Sequence, residues 1–412
     1  MTDPYPLQPG QPSQPVDAYP AQPQPTLPAQ PDTSGWPYIY YFPLFEGPGD
    51  RPTPTPPPTA TRPTDTPAPV KPTEPPRPPE PTDTPRPPWP APLSGQTTSK
   101  LGLHVIAVYP DPDIMEFVNR VHPRVVMSPF DQEGLAQIKA ASPGTVTISR
   151  FDVRGQEDWI KTVPDAAAAA NHYVEVNLEK YRQNPAVDYW EGMNEFAPQT
   201  PADWQWFAQY EAARACAMQA QGLHAAIGAF SVGYPRTFDE MKAFLPAMEA
   251  AHRCGGILTI HEYNGPTMDC GVVTNVPEII PGAPAVNVPA GPLTLRYRIL
   301  YEALLKPRGL GDLRLAITEL GADGGPPKEG CQGPGRGWTW KRYQPWWIDQ
   351  GFGAIGAEAY VNVLAWYDAE MKKDPYVIGA AIFTSGEFAS TAWANFDIHE
   401  AIIHLAIYET RP

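Results

Sequence analysis

Prolines decide what this chain can fold into, because most of them are crowded at one end. Of 56 prolines, 32 lie in residues 1–100 and 24 in the remaining 312. A proline lacks the N–H that a strand ladder or a helix interior requires, so at this density the first hundred residues cannot build a packed domain. Residues 1–34 alternate Pro with Gln, Ala and Thr, and residues 51–92 run as Thr-Pro and Pro-Pro units. The pentapeptide Pro-Thr-Asp-Thr-Pro occurs at 63–67 and again at 81–85. This composition favours extended polyproline II, in which 51–92 would reach on the order of 130 Å. One aromatic island, Trp36-Pro37-Tyr38-Ile39-Tyr40-Tyr41-Phe42-Pro43-Leu44-Phe45, interrupts it and is suited to docking on a domain, a neighbouring copy or a sheet edge. The organisation expected is a Pro/Thr-rich spacer over 1–99 and one domain over 100–412.

The second part is long enough for a single large core. Net charge is −15, of which the first hundred residues contribute −3. An acidic chain lacks the basic face that phosphate contacts need, which argues against a nucleic-acid partner. No run of 18 apolar residues is present, so no membrane-spanning helix is expected. Met1 is not followed by a basic and then an apolar region, so no signal peptide is read, although Thr/Pro spacers are common in exported proteins. The four cysteines, Cys216, Cys254, Cys270 and Cys331, are an even number and point to an oxidising compartment, the cell surface or outside it. The spacer could tether the domain to a surface or mediate self-association.

From residue 101, short apolar runs alternate with longer amphipathic ones. Strands are predicted at Leu101–Val108, Arg124–Ser128, Thr145–Phe151, Val187–Asn194, Ala225–Ser231, Ile257–Tyr263, Leu313–Leu320 and Val377–Thr384. Helices are predicted at 113–120, 165–182, 203–221, 237–252, 293–305 and 356–372, with only short helices in the first two connections. Eight buried strands alternating with helices argue for an α/β fold closed as a (β/α)8 TIM barrel. An open doubly wound sheet would want a Gly-rich turn after its first strand, where His104-Val105-Ile106-Ala107-Val108-Tyr109-Pro110 offers none. In a barrel, chemistry belongs at the C-terminal ends of the strands.

The fourth strand ends Trp190-Glu191-Gly192-Met193-Asn194-Glu195, and the seventh ends Ile317-Thr318-Glu319-Leu320. Two carboxylates facing one barrel mouth are what glycoside hydrolysis requires, one protonated and one ionised. Trp-x-x-x-Asn-Glu closing the fourth strand and Thr-Glu closing the seventh resemble the retaining glycoside hydrolases of clan A, in strand order over most of 101–408. The resemblance implies that Glu195 is the acid/base, Asn194 the ligand of the sugar 2-hydroxyl and Glu319 the nucleophile. Arg150, ending the third strand, and His261 with Tyr263, ending the sixth, match supporting positions in that clan. Arg150 would hold Glu319 ionised, and the double displacement needs a raised pKa at Glu195. The eighth strand departs from the clan: Phe383-Thr384 stands where a Trp is frequent, with Trp393 further on and Glu387 near the mouth.

No His-Glu-x-x-His spacing appears, so His104 and His261 are read as neutral, hydrogen-bonded substrate ligands, and neither a metal nor another cofactor is expected. Glu191 and Glu262 lie inside their strands and are expected to pair locally. Two long loops, 264–292 and 321–352, follow the sixth and seventh strands, the second carrying Trp338, Trp340, Tyr343, Trp346 and Trp347. Trp338 and Trp346 are candidate sugar platforms, although at least half of these aromatics are expected only to pack the loop. Four cysteines allow three pairings, of which barrel adjacency favours Cys270 with Cys331 and Cys216 with Cys254. The function expected is an exported retaining glycosidase acting on a poly- or oligosaccharide. The alternative is a catalytically silent barrel that binds carbohydrate or assembles a surface through its N-terminal arm.

Overall fold

The computed structural model describes residues 86–151, 162–322, 331, 333–334, 339–386 and 393–411. Most of the proline-rich segment, its aromatic island at 36–45, Trp338 and Glu387 lie outside the described residues. The eight strands are β1 (Leu101–Val105), β2 (Val125–Ser128), β3 (Val146–Ser149), β4 (Tyr189–Glu191), β5 (Ala225–Phe230), β6 (Ile257–Asn264), β7 (Leu315–Ala322) and β8 (Val377–Ser385). Each pairs in parallel with the next, and β8 pairs with β1, so the sheet is a closed barrel. The fold is therefore the (β/α)8 barrel that the sequence pattern predicts.

Alternation along each strand builds two cores. Val125 and Met127 of β2, Ile148 of β3, Ala226 of β5, Ile257 of β6 and Ala316 of β7 form a small cluster in the barrel interior. Their neighbours Val126, Leu258, Leu315 and Ile317 point outward into the larger core beneath the helices. Those helices are α1 (Pro112–Val121), α2 (Gln132–Ala141), α3 (Ala166–Gln183), α4 (Pro201–Ala220), α5 (Phe238–Ala243), α6 (Leu245–Arg253), α7 (Tyr297–Leu300), α8 (Trp340–Asp349), α9 (Gly356–Met371) and α10 (His399–Glu409). Local chemistry sets their starts. Asp111 caps α1 by accepting from the Asp113 N–H, and Thr200 with Asp203 forms a reciprocal capping box on α4.

Three features differ from the sequence pattern. The helix expected over 237–252 is broken at Phe244, where Pro246 opens α6 instead of continuing α5. The loop expected over 321–352 contains α8, a ten-residue helix that accommodates Pro345. Residues 86–100 have no helix or strand, yet they pack on the barrel. Arg86 pairs with Asp113 at 2.7 Å, the Arg120 guanidinium lies 5.9 Å from the Trp89 ring centroid, and the Leu93 N–H donates to the Arg120 carbonyl at 2.8 Å.

Two disulfides link neighbouring units. Cys216 of α4 is bonded to Cys254 after α6, and Cys270 after β6 is bonded to Cys331 after β7.

Candidate active site

Glu319 reaches the barrel mouth through a bulge. Ala316 faces the interior, so regular alternation would turn Thr318 inward and Glu319 outward. In the pairing of β6 with β7, however, Ile260 faces Ile317 and the next residue, His261, faces Glu319. Thr318 is the extra residue, and it resets the alternation so that both side chains point in. The Thr318 hydroxyl donates to Glu191 Oε1 at 2.8 Å. The Glu319 carboxylate lies 3.6 Å from Arg150 Nη2 and accepts from the Tyr263 hydroxyl at 3.0 Å.

Glu195 stands opposite, just past β4, with a φ of 51° that a non-glycine residue seldom adopts. Its N–H donates to the Ala229 carbonyl at 2.9 Å, which fixes that conformation against the end of β5. Gly192, three residues earlier, is required by packing, since a Cβ there would stand 2.9 Å from Arg214 Nε beneath the strand. His261 bridges the two acids, 2.8 Å from Glu195 Oε1 and 3.5 Å from Glu319 Oε2. One oxygen of each carboxylate and a His261 nitrogen all lie within 4.8 Å of one another. The same three groups could by spacing surround a cation, but the oxygens of Glu319 already face Arg150 and Tyr263. A similar triad, Asp111, Asp113 and His399, is held by mutual hydrogen bonding and Arg86.

Burial and neighbouring charges both act on the groups at the mouth. Burial pushes the Glu319 carboxyl up; His261 opposes this, Glu195 adds to it, and Arg150 and the Tyr263 hydroxyl oppose it in turn. The net direction is upward, because desolvation is the largest effect. Burial works against charging His261, but Glu319 and the hydrogen bond to Glu195 outweigh it and raise its pKa. His104 goes the other way, with burial, Arg150 and His261 all holding it well below its ordinary value. Its Nδ1 lies 2.9 Å from Thr384 Oγ1, and its ring sits 4.7 Å from that of Phe383.

Glu191 does not pair locally. It meets Arg150, at the end of the neighbouring strand β3, with Nη1 at 3.0 Å, and reaches across the interior to Thr318 of β7, so Arg150 is shared between two carboxylates. Residues that alternate into a barrel at the level of known site residues are the signal that would have marked it. At the mouth, Asn194 Oδ1, His104 Nε2 and His261 Nε2 are enclosed and have no hydrogen-bond partner among the described residues. Phe383 gathers the aromatic side of the mouth, 6.4 Å from Tyr263 and 5.3 Å from Trp393, with the Trp393 ring nearly perpendicular to it. The described aromatics of the loop after β7 pack among themselves and on α9. Trp340 and Trp347 are fully buried and stack on Tyr360 of α9, Tyr343 is buried with them, and Trp346 lies against Phe352. An open cavity of about 650 Å³ lies at the opposite, N-terminal end of the strands, bordered by Tyr189 and Arg314, away from these carboxylates.

No family model and no curated protein matches the sequence. Among solved structures, the chain is similar to ZgEngAGH5_4 in complex with a cellotriose, at 11% identity over 77% of this chain and 99% of that one, with a TM-score of 0.41. It is also similar to a psychrophilic glycoside hydrolase family 10 endo-β-1,4-xylanase, at 12% identity over 75% and 96% of the two chains, with a TM-score of 0.40. A third is a GH18 chitinase mutant from Cycas revoluta in complex with (GlcNAc)4, at 12% identity over 74% and 98%, with a TM-score of 0.41. The fold rests on the barrel's own strand pairing, and the chemistry on the geometry above.

Proposed function

We propose that the chain is a retaining glycoside hydrolase acting on a poly- or oligosaccharide, with Glu319 as nucleophile and Glu195 as acid/base. The observation that carries this reading is the carboxylate separation. One oxygen of each acid lies within 4.8 Å of the other, which is in keeping with the roughly 5–5.5 Å of double displacement and short of the roughly 6.5–9.5 Å of inversion. The partners of the two acids support the assignment of roles. Glu319 faces a guanidinium, an imidazole and a hydroxyl, all of which favour its anion, and its side chain is 6% exposed. Glu195 is met by His261 alone among these and is 17% exposed, which gives incoming water a route to it.

In the first step a Glu319 oxygen attacks the anomeric carbon while the glycosidic C–O bond breaks. The Glu195 proton goes to the departing oxygen, and a glycosyl ester of Glu319 forms. In the second step Glu195 takes a proton from water as that water attacks the same carbon, and Glu319 leaves as the carboxylate. Asn194, His104 and His261 each offer an unpartnered polar atom to sugar hydroxyls. Arg150 and Tyr263 position Glu319 and stabilise its charge before attack and again as it leaves. Two disulfides fit an oxidising compartment, consistent with an extracellular or surface-held enzyme.

Incubation with aryl β-glycosides and soluble polysaccharides tests the reading, native protein beside Glu319→Gln. Hydrolysis with retained anomeric configuration that falls at least roughly a thousandfold in the variant is expected. An inverted product, or equal rates in both proteins, would sink it.

A further inference from the structure

We infer that Tyr109 and Phe130 form the aromatic floor of a further saccharide subsite, one that holds a pyranose ring beyond those at the cleaved bond. The inference rests on the glycosidase reading for its choice of ligand. The starting observation is exposure. Among the described residues, Tyr109 is 84% and Phe130 53% exposed, and the other exposed large hydrophobic side chains are the aliphatic Val176, Val273, Val276 and Ile348. The two exposed aromatics follow β1 and β2, so both lie on the C-terminal face of the barrel, on neighbouring loops.

Those loops are fastened together between the two rings. The Val108 N–H donates to Asp131 Oδ2 at 2.8 Å, and the other Asp131 oxygen caps α2 by accepting from the Gly134 N–H at 2.7 Å. Tyr109 directly follows Val108 and Phe130 directly precedes Asp131, so the rings flank one hydrogen bond. The approach is close enough that a Cβ at Gly134 would meet Val108 Cγ2 at 2.5 Å. Pro110 after Tyr109 and Pro129 before Phe130 further limit the backbone.

The same hub connects to the carboxylates. Gln132, one residue past Asp131, donates from Nε2 to Ser149 Oγ at 2.9 Å and to the Arg150 carbonyl at 3.2 Å. The Arg150 guanidinium then faces Glu319. A saccharide crossing the mouth on the β1–β3 side would meet the two rings. Pyranose rings present apolar C–H faces to which an aromatic face is complementary, and the hydrogen bond between the loops fixes the backbone beside both residues. A protein partner would need a far larger patch than two side chains.

Affinity electrophoresis through native gels containing hydroxyethyl cellulose, xylan or glucomannan tests this, with Glu319→Gln as the parent so that the glycan survives. The parent is expected to be retarded by at least one gel. Adding Tyr109→Ala or Phe130→Ala should weaken that association about tenfold, while Tyr109→Phe, which keeps the ring, stays within about twofold. Both residues are exposed, so the variants fold. In the active background, Tyr109→Ala should hydrolyse an aryl β-monoglycoside within about twofold of the native rate. Retardation unchanged by both alanine variants, or no retardation of the parent in any gel, would overturn the subsite. A native protein inactive on every substrate, but retarded in a Tyr109-dependent way, would overturn the catalytic reading and leave the subsite standing.

Discussion

Replacing Tyr263 by Phe removes one oxygen from beside Glu319 and leaves the ring where it packs against Phe383. That hydroxyl donates to Glu319 Oε2 at 3.0 Å, and it acts to lower a carboxyl pKa that burial has raised. A hydrogen bond to a charged group contributes about 1.5–3 kcal/mol, and the neutral acid retains part of it. The difference between the two protonation states is then roughly 1–2 kcal/mol, or about one pKa unit. The sign follows from which form accepts the bond. Loss of the donor disfavours the anion, so the pKa of Glu319 climbs further above the ordinary glutamate range. Attack requires the anion, and the acid limb of kcat/KM should therefore move up by about one unit. The assay is the pH dependence of kcat/KM on an aryl β-glycoside, from about pH 4 to 9, for both proteins, with a thermal melt to establish that both are folded. An acid limb that stays within about 0.3 unit, or moves down, would refute the assignment of Tyr263 and Glu319 to one charge network.

Two further outcomes are independent of any substrate. Trp347 is fully buried, stacks on Tyr360 and donates to the Pro266 carbonyl at 2.8 Å. Trp347→Ala should cost about 3–5 kcal/mol and lower Tm by roughly 10 °C, and an unchanged melt would refute its role in packing. Glu262 is fully enclosed, and burial raises its carboxyl from 4.5 to about 7 despite hydrogen bonds from Tyr367 and the backbone of Leu295 and Arg296. Its folded form holds the proton more tightly than the unfolded chain, so its stabilisation is complete below about pH 4.5 and is lost as pH rises through about 7, roughly 3 kcal/mol in all. Melts at pH 5 and pH 8 should show a smaller fall for Glu262→Gln than for the native chain, and parallel falls would refute it.

The eight strands were legible because a parallel strand buried on both faces must be apolar along most of its length, as in Ile257–Ile260 and Leu315–Ile317. Glu195 and Glu319 were legible because a carboxylate ending such a run has few structural reasons to be there. Glu191 was not, since its partners Arg150 and Thr318 come from β3 and β7 and no local spacing relates the three. The helix within 321–352 was missed for a different reason. Trp340, Tyr343 and Trp347 recur at the spacing of one helix face, but Pro345 and the surrounding glycines masked the helix that buries them. Tyr109 and Phe130 carried no sequence signal at all. A single aromatic residue in a loop has no periodicity to read, and only its exposure in the fold distinguishes it from a core residue.

Several irregularities of the barrel fall at its C-terminal end. Toward their starts the strands hold Val125, Ile257 and Ala316 inside, and β8 carries an extra residue between Val377 and Gly379. Toward their C-terminal ends, β5 carries an extra residue between Ile227 and Phe230, β7 carries Thr318, and the φ values of Ala229 and Glu195 become 40° and 51°. Conformations of this kind cost on the order of 1–3 kcal/mol each and persist only where the surroundings impose them. Each one here has an identifiable consequence at the mouth. The β7 bulge turns Glu319 inward beside Thr318, and the hydrogen bond between Glu195 and Ala229 holds the second acid opposite it. A barrel selected for stability alone would continue the alternation and bury an apolar residue at position 319. That the chain instead breaks its own pattern at the positions that bring two carboxylates within 4.8 Å is a physical argument for chemistry at this end. It holds independently of any likeness to another protein.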